Sequence, residues 1–590
     1  MISLKNLSFR FNQSVEPVLT RINLNYAHGE FALICGPTGS GKSTLLKTIN
    51  GLAPHFTGGT LGGTITLDGV DVTGWAPHQL AEQVGYVNQQ PEGAFVAETV
   101  DQEIAYGLEQ LGKPQDFMFS RVSELASLLS IETLLNQRLT SLSGGQQQRV
   151  AIASAIAAGA KTLLLDEPTS ALDIAATIDI VATLESLTKT HNISVLLAEH
   201  RIEKLLEIAD SLTVVHGDGT ATQGPLRGEN LDMLFNNHRM VPTVVELSHF
   251  CAWQPTAITI ADARQRWAAQ PLVERELEPA TEVPEPVESG KQVEAGSHVE
   301  TGAHVETGSH VGAGIHVENL TVSFGRTKKA PGKDALVDFT FDFNAAQITA
   351  VMGPNGSGKT TLLWALVAEL DGASISSGHI SPDLKKVRAS ERLSQIALVP
   401  QRAADLLFLG SVSEELAESD RLSNLNQGTT AAILQQIAGR LDPRVHPRDL
   451  SAGQQLALVI ALQMAKGAQI LLLDEPTRGL DYVAKRGLAS QLETFKASGK
   501  TIVVASHDVE FVAALADQVV VLSDGRVSKQ GSASEILGAP GVLQSAVAAV
   551  VGQARAAVLG QAGAEARLVE PAATPINMAE LERRFMGGAK

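Results

Sequence analysis

Cysteine is almost missing from the 590 residues: only Cys35 and Cys251 occur. That excludes a disulfide framework and fits a reducing compartment. Cys35 ends the apolar run Phe31-Ala-Leu-Ile-Cys35 and reads as a small core residue. Long hydrophobic runs are missing too. No stretch reaches the about 18 uninterrupted apolar residues of a membrane helix, so no span is expected. The stretch from Val542 to Leu559 is broken by Gln544, Gly552, Gln553 and Arg555 and reads as a moderately amphipathic helix. The first residues enter a strand-like run, Ile2 to Phe9, with no signal-peptide h-region. Basic charge is short as well: 46 Lys and Arg stand against 64 Asp and Glu, for a net −18. A nucleic-acid binder needs a basic surface to displace counterions from phosphates. The balance argues against one, although a local basic patch stays open.

What the chain does have is one series of motifs, twice and in the same order. The first copy reads Gly36-Pro37-Thr38-Gly39-Ser40-Gly41-Lys42-Ser43-Thr44, then Gln89, Leu142-Ser143-Gly144-Gly145-Gln146, Asp166-Glu167 and His200. The second reads Gly353-Pro354-Asn355-Gly356-Ser357-Gly358-Lys359-Thr360-Thr361, then Gln401, Leu450-Ser451-Ala452-Gly453-Gln454, Asp474-Glu475 and His507. The offset between copies is nearly constant, so the chain is an internal duplication of one unit. Length alone calls for roughly three to four domain-sized units, and the duplication accounts for two.

The first motif is a P-loop. Glycines let backbone N–H groups wrap phosphates, Lys42 and Lys359 reach the β- and γ-phosphates of ATP, and the Ser43 and Thr360 hydroxyls ligate Mg²⁺. Each P-loop follows an apolar strand and runs on into a helix (Leu45-Leu46, Leu362-Leu363), which is the context the motif requires. The apolar strands ending at Asp166 and Asp474 supply a carboxylate that holds Mg²⁺, often through water. The adjacent Glu167 and Glu475 are placed to polarise an attacking water. Paired carboxylates at a strand end repel each other, so an ordinary acidic turn is the weaker reading. Strand-like runs alternate with helix-like segments, and the P-loop, the acidic pair and the histidine each sit where a strand ends. The fold class is therefore α/β: two P-loop NTPase domains in tandem, with ligand at the carboxyl ends of the strands.

At this point the chain resembles the ATP-binding cassette (ABC) family. Leu142-Ser143-Gly-Gly-Gln146 is similar to that family's signature, which is far more specific than a P-loop. The resemblance implies that Ser143 and the backbone after it grip the γ-phosphate held by the opposite cassette. It matches Phe11 and Phe324 to the aromatic that stacks on adenine, Asp173 and Asp481 to the D-loop, and His200 and His507 to the switch histidine. Gln89 and Gln401 match the Q-loop, which senses γ-phosphate and Mg²⁺ and transmits to a membrane partner. Two cassettes would close head-to-tail over two ATP molecules. The two sites would be unequal. ATP at Lys359 faces the intact signature, whereas ATP at Lys42 faces Ser451-Ala452-Gly453-Gln454, where Ala452 adds a methyl and Ala457 stands in the place of Arg149. The site bearing Glu475 is expected to hydrolyse faster, with neither site dead.

The run Phe95-Val96-Ala-Glu-Thr99-Val100, continued by Glu103 and Tyr106-Gly107-Leu108-Glu109, is similar to ATPases of energy-coupling factor (ECF) importers; Ser411-Val412 and Glu415 match more loosely. That resemblance implies a cytoplasmic ATPase, peripheral on the inner face of the membrane. Its partners would be a transmembrane coupling subunit, docked near Gln89 and Gln401, and a small membrane substrate-binding subunit. The cargo would be a vitamin, such as a thiamine precursor, or a transition-metal ion. The competing reading is a soluble ABC-F type translation factor. Such factors carry a basic helical linker, whereas here residues 273–316 hold nine Glu against Arg275 and Lys291. A nucleic-acid repair ATPase would need zinc-binding cysteines or a long coiled coil, and neither occurs.

The organisation follows. Domain 1 spans residues 1–235, and an extension with its own apolar residues, 236–272, is expected to pack against it. The linker 273–315 is acidic and Pro-rich, then a hexapeptide repeat carrying His298, His304, His310 and His316; it cannot bury a core. A slipped-repeat spacer explains those histidines better than a metal site, because six-residue spacing does not preorganise ligands. Domain 2 spans 316–540, and the tail 541–590 is expected to be poorly ordered from Pro571 onward.

Overall fold

The computed structural model describes residues 1–12, 14–227, 234–235, 241–269, 314–325, 332–370, 372–552 and 575–581. Most of the linker, with His298, His304 and His310, lies outside them. His316 does not belong to a spacer: it stands within a strand, its Nδ1 against Asp342.

Each half is built from two sheets. In the first, β1 (Ile2–Arg10), β2 (Leu19–Tyr26), β4 (Thr60–Leu67) and β5 (Val70–Asp71) form an antiparallel sheet in the order β2-β1-β4-β5. A second sheet has the order β10-β9-β3-β8-β7-β6, from β3 (Phe31–Cys35), β6 (Val84–Val87), β7 (Thr162–Asp166), β8 (Ser194–Ala198), β9 (Ser211–Val215) and β10 (Ala221–Pro225). All its neighbours are parallel except β9 and β10. Strands β3, β7, β8 and β9 are buried at every position, as parallel strands covered on both faces must be.

The second half repeats the plan. Strands β11 (Ile315–Phe324), β12 (Lys333–Phe343) and β14 (Ala373–Ser381) make the antiparallel sheet. The main sheet runs β15-β16-β17-β13-β18-β19, from β13 (Ile348–Met352), β15 (Ile396–Val399), β16 (Ile470–Asp474), β17 (Thr501–Ala505), β18 (Gln518–Ser523) and β19 (Arg526–Ser532). Read from its other edge, that order equals the first half's. The central strand thus carries the P-loop, and its next two neighbours bring the histidine and the acidic pair to the same carboxyl-terminal edge.

The extension and the tail differ from expectation. Helices Thr243–Phe250 and Ile260–Ala269 present two faces. Val245 lies in the core of the first half, as anticipated. Val244, Leu247, Trp253 and Trp267 instead pack with Val547, Val550 and Leu581 from the end of the chain. Trp253 and Trp267 meet edge-on with centroids 6.3 Å apart. Residues 575–581 are therefore not loose: Leu581 is buried in that cluster, because the extension offers an apolar face that domain 1 alone leaves uncovered, and Ile576 is buried with Ala350, Met352 and Val512 of the second half.

Candidate functional site

Each P-loop leaves its central strand in a conformation open to glycine. Gly36 has φ 151°, and a Cβ there would lie 2.2 Å from the Val215 carbonyl oxygen. Gly353, at φ 144°, would meet the Leu522 carbonyl at 2.3 Å. Gly39 and Gly356, also at positive φ, face open space. Gly41 and Gly358 then start the helices Lys42–Ile49 and Lys359–Leu366, whose first N–H groups face the loop.

Both lysines fold back to the loop. Lys42 Nζ donates to the carbonyls of Gly36 at 2.9 Å and Pro37 at 3.0 Å. Lys359 Nζ does the same to Gly353 at 2.8 Å and Pro354 at 3.1 Å. Burial lowers the pKa of Lys42, with Glu167 opposing. Ser43 Oγ donates to Asp166 Oδ1 at 2.8 Å, so hydroxyl and carboxylate converge on one point. Thr44 continues inward and is buried; Thr361 lines a cavity of about 570 Å³ with Phe324, Thr360 and Trp364. Phe324 is exposed at the edge of this cavity, where an adenine ring could stack. Phe11 is half-buried and packs edge-on against Phe9 at 5.0 Å.

The acidic pairs are held alike. Glu167 and Glu475 both sit at φ 48°, in the left-handed region uncommon for a glutamate. Each donates its N–H at 2.8 Å across the sheet, to Ala198 and to Ala505. Glu167 Oε1 lies 3.1 Å from His200 Nε2, and its Oε2 accepts from Gln89 Nε2 at 2.7 Å. Glu475 Oε2 lies 2.7 Å from His507 Nδ1, and its Oε1 lies 3.9 Å from Lys359 Nζ. Burial opposes the charge on both glutamates. The hydrogen bonds and charges of their histidines and lysines outweigh it and hold both below the ordinary carboxylate range. The aspartates go the other way. Burial raises Asp166 and pushes Asp474 up to about 6, with the Ser43 and Thr360 hydroxyls opposing.

Several buried polar atoms here have no hydrogen-bond partner: Thr38 Oγ1, Ser40 Oγ, Ser357 Oγ, Asp474 Oδ1 and Glu475 Oε1. Unpaired buried groups are costly, and they gather here around both P-loops. The donor set fits a polyphosphate with a hard divalent cation. Ser43 with Asp166 and Thr360 with Asp474 are the groups that could hold Mg²⁺. Gln89, a further candidate ligand, is turned to Glu167; its counterpart Gln401 is exposed.

The signature serines cap helices. Ser143 Oγ accepts from Gln146 N at 3.4 Å and Ser143 N donates to Gln146 Oε1 at 2.8 Å. Ser451 and Gln454 repeat the arrangement at 3.3 and 3.0 Å. This capping box opens the helices Gly144–Ala157 and Ala452–Ala465. Ser143, Gly144 and Ala452 are exposed, while Gly145 and Gly453 are half-buried, so both helix N-termini stay accessible.

The halves meet through their D-loops. Asp481 Oδ1 caps its own helix at Ala484 N, while Oδ2 accepts from Thr38 N of the first P-loop at 2.9 Å. Asp173 likewise caps at Ala176 N and accepts from Asn355 N of the second P-loop at 2.9 Å. Each P-loop is thus touched by the other half, a reciprocal head-to-tail pairing. The pairing is not symmetric in charge. Arg201, directly after His200, lies 3.6 Å from Asp508, directly after His507; Lys485 holds Asp508 at 2.7 Å.

Sequence reasoning missed four of these groups. Tyr86 OH donates to Asp166 Oδ2 at 3.2 Å, where the second half has Leu398. Buried Glu199 accepts from Thr169 N at 3.1 Å. Arg201 reaches His507, and Arg478 acts electrostatically on Glu167. The available signal was charge reversal between copies, Arg201 against Asp508 directly after the histidines.

Comparison with known proteins follows the same lines. The family model described as ABC transporter matches residues 19–170 and 336–478. A provisionally named ABC transporter ATP-binding protein of Streptomyces coelicolor is 37% identical over 91% of this chain and 95% of its own. One from Methanosarcina mazei is 29% identical over 92% and 91%. Among solved structures, the archaeal ribosome recycling factor aABCE1, in complex with the ribosomal stalk protein aP1, aligns over 90% of this chain and 91% of its own. That alignment has a TM-score of 0.55 at 21% identity, a likeness of fold. The chain belongs to the ABC transporter ATP-binding protein family, with two cassettes in tandem.

Proposed function

We propose that the chain hydrolyses ATP at two composite sites between its halves and energises an importer of the ECF type. Its cargo would be a vitamin, such as a thiamine precursor, or a transition-metal ion. The P-loop amides with Lys42 and Lys359 bind the phosphates, and Phe11 and Phe324 take the base. Glu167 and Glu475 orient and polarise the attacking water, each steadied by its histidine. Ser143 and Ser451, at helix N-termini, complete the site of the opposite half. Bound Mg²⁺ would neutralise phosphate charge between the hydroxyl and aspartate of each site.

One observation carries the membrane reading. Beyond each Q-loop a buried glutamate ties down a turn. Glu103 Oε2 accepts from the N–H groups of Val96 and Ala97, both at 2.9 Å. Glu415 Oε1 accepts from Phe408 at 2.6 Å and Leu409 at 2.8 Å. The turns hold Val96 65% and Phe408 79% exposed. Apolar side chains fixed outward beside a nucleotide sensor suit docking of a partner. That partner would be a transmembrane coupling subunit, accompanied by a small membrane substrate-binding subunit, with the chain on the cytoplasmic face. Among the described residues no helix is long and apolar enough to cross a membrane.

The test is affinity purification from gently solubilised native membranes, followed by mass spectrometry, for the wild type and for Val96→Glu with Phe408→Glu. Recovery of two small polytopic proteins with the wild type, lost in the variant while ATPase persists, supports the reading. Recovery of ribosomes, or of no membrane protein, overturns it.

A further inference from the structure

The two switch histidines are wired differently. His200 turns Nε2 to Glu167, and its Nδ1 is buried without a hydrogen-bond partner. His507 turns Nδ1 to Glu475 at 2.7 Å, and its Nε2 lies 2.7 Å from Arg201 Nη1 of the other half. A guanidinium can only donate, so His507 Nε2 must present its lone pair. The proton of the neutral ring then sits on Nδ1 and is donated to the Glu475 carboxylate. The two contacts agree on this tautomer, and the cross-half one fixes the far side of the ring.

Arg201 is itself held. Nη2 donates to Thr477 Oγ1 at 3.3 Å and lies 3.6 Å from Asp508 Oδ2, which also pairs with Lys485 at 2.7 Å. The side chain is 23% exposed. Glu475, Glu199 and Glu203 add their charges to that of Asp508 in favouring the cation, against burial. The first site has no equivalent, because the position after its partner's histidine is Asp508, an acid already taken by Lys485 and Arg201.

We propose that Arg201 is a positioning residue that the first half supplies to the second site. It holds the His507 ring in place through Nε2 and so sets the orientation of Glu475. Because Arg201 directly follows His200, a shift of the first histidine is passed to the second by one peptide unit. The two sites are thereby coupled, through a contact that only the site of Glu475 receives on its histidine. The proposal rests on the reading of Glu475 as hydrolytic.

The test uses the full chain with one site silenced at a time. With Glu167→Gln in place, Arg201→Met should lower kcat for ATP about tenfold or more while KM changes less than about twofold. With Glu475→Gln in place, the same change should alter kcat less than about twofold. Methionine keeps the packed stem, and Arg201→Lys, with one donor for Nε2, should recover part of the loss. Independently, ¹⁵N-histidine spectra should show His507 with its proton on Nδ1 and Nε2 accepting a hydrogen bond in the wild type, and the hydrogen-bond shift of Nε2 should be lost in Arg201→Met. Equal loss in both backgrounds, no loss in either, or an unchanged Nε2 signal overturns the proposal. If Glu475→Gln alone leaves hydrolysis intact, the reading of that site fails, and the spectra still decide the role of Arg201.

Discussion

Glu510 offers a quantitative check on how the second cassette, the extension and the tail lock together. It lies in the helix Val509–Leu515 and its Oε1 accepts from Ala546 N at 2.7 Å. Burial, helped by the charges of Glu203 and Asp508, pushes its pKa up to about 7 from an ordinary 4.5, against hydrogen bonds from Ala546 and Thr243. A carboxyl raised in the folded chain binds its proton more tightly there. Its contribution is fully present below pH 4.5 and is lost as pH rises through about 7. The difference corresponds to about 3 kcal/mol at pH 8, where Glu510 is charged in both states. Glu510→Gln keeps the acceptor for Ala546 and turns an amide toward Glu203 and Asp508. It should therefore stabilise by up to about 3 kcal/mol near pH 8, by about half of that near pH 6, and not at all near pH 4.5. Unfolding midpoints across that range, with hydrogen exchange over 509–515 and 546–551 to isolate this unit, read the effect. No gain near pH 8, or a gain that does not change with pH, would refute the reasoning.

Other outcomes follow from the same contacts. Glu475→Gln should remove more steady-state ATPase than Glu167→Gln, since its site faces the intact signature; the reverse order in a phosphate-release assay contradicts the asymmetry. Asp481→Ala loses both a helix cap and the bond to Thr38 N, costing about 1 kcal/mol or more. Hydrogen exchange should then quicken at the helix Tyr482–Ala497 and at the first P-loop. Gly36→Ala places a Cβ 2.2 Å from the Val215 carbonyl and should abolish nucleotide binding at the first site only, measured by ATP titration in a Lys359→Ala background. Trp267→Ala opens the cluster joining extension and tail and costs about 3 kcal/mol or more; limited proteolysis should then release the tail with the cassettes intact.

Much of this was readable from residues because P-loop, acidic pair and histidine are short motifs anchored at strand ends, and the apolar runs Phe31–Cys35 and Thr162–Asp166 are strands at those limits. The P-loop backbone needs its glycines wherever it occurs, so Gly36 and Gly353 announced their conformation. The wiring between halves was not readable. Arg201 contacts His507 only because the halves pair head-to-tail; the charge reversal against Asp508 hints at an asymmetry but does not name the contact. The segment 575–581, expected to be poorly ordered, was misjudged for a related reason. Leu581 is buried against the distant extension helices and Ile576 against the second half, so neither burial shows in the local sequence. Tyr86 belongs to no motif, and only the sheet order brings its hydroxyl to Asp166 on the neighbouring strand.

The most direct test is specific ATPase activity of the purified chain across about a thousandfold dilution. Asp481 on Thr38 and Asp173 on Asn355 pair the halves within one chain, so activity per chain should stay constant as the protein is diluted. Activity that falls with dilution would show that hydrolysis requires a second copy, and would contradict catalysis between the two halves of a single molecule.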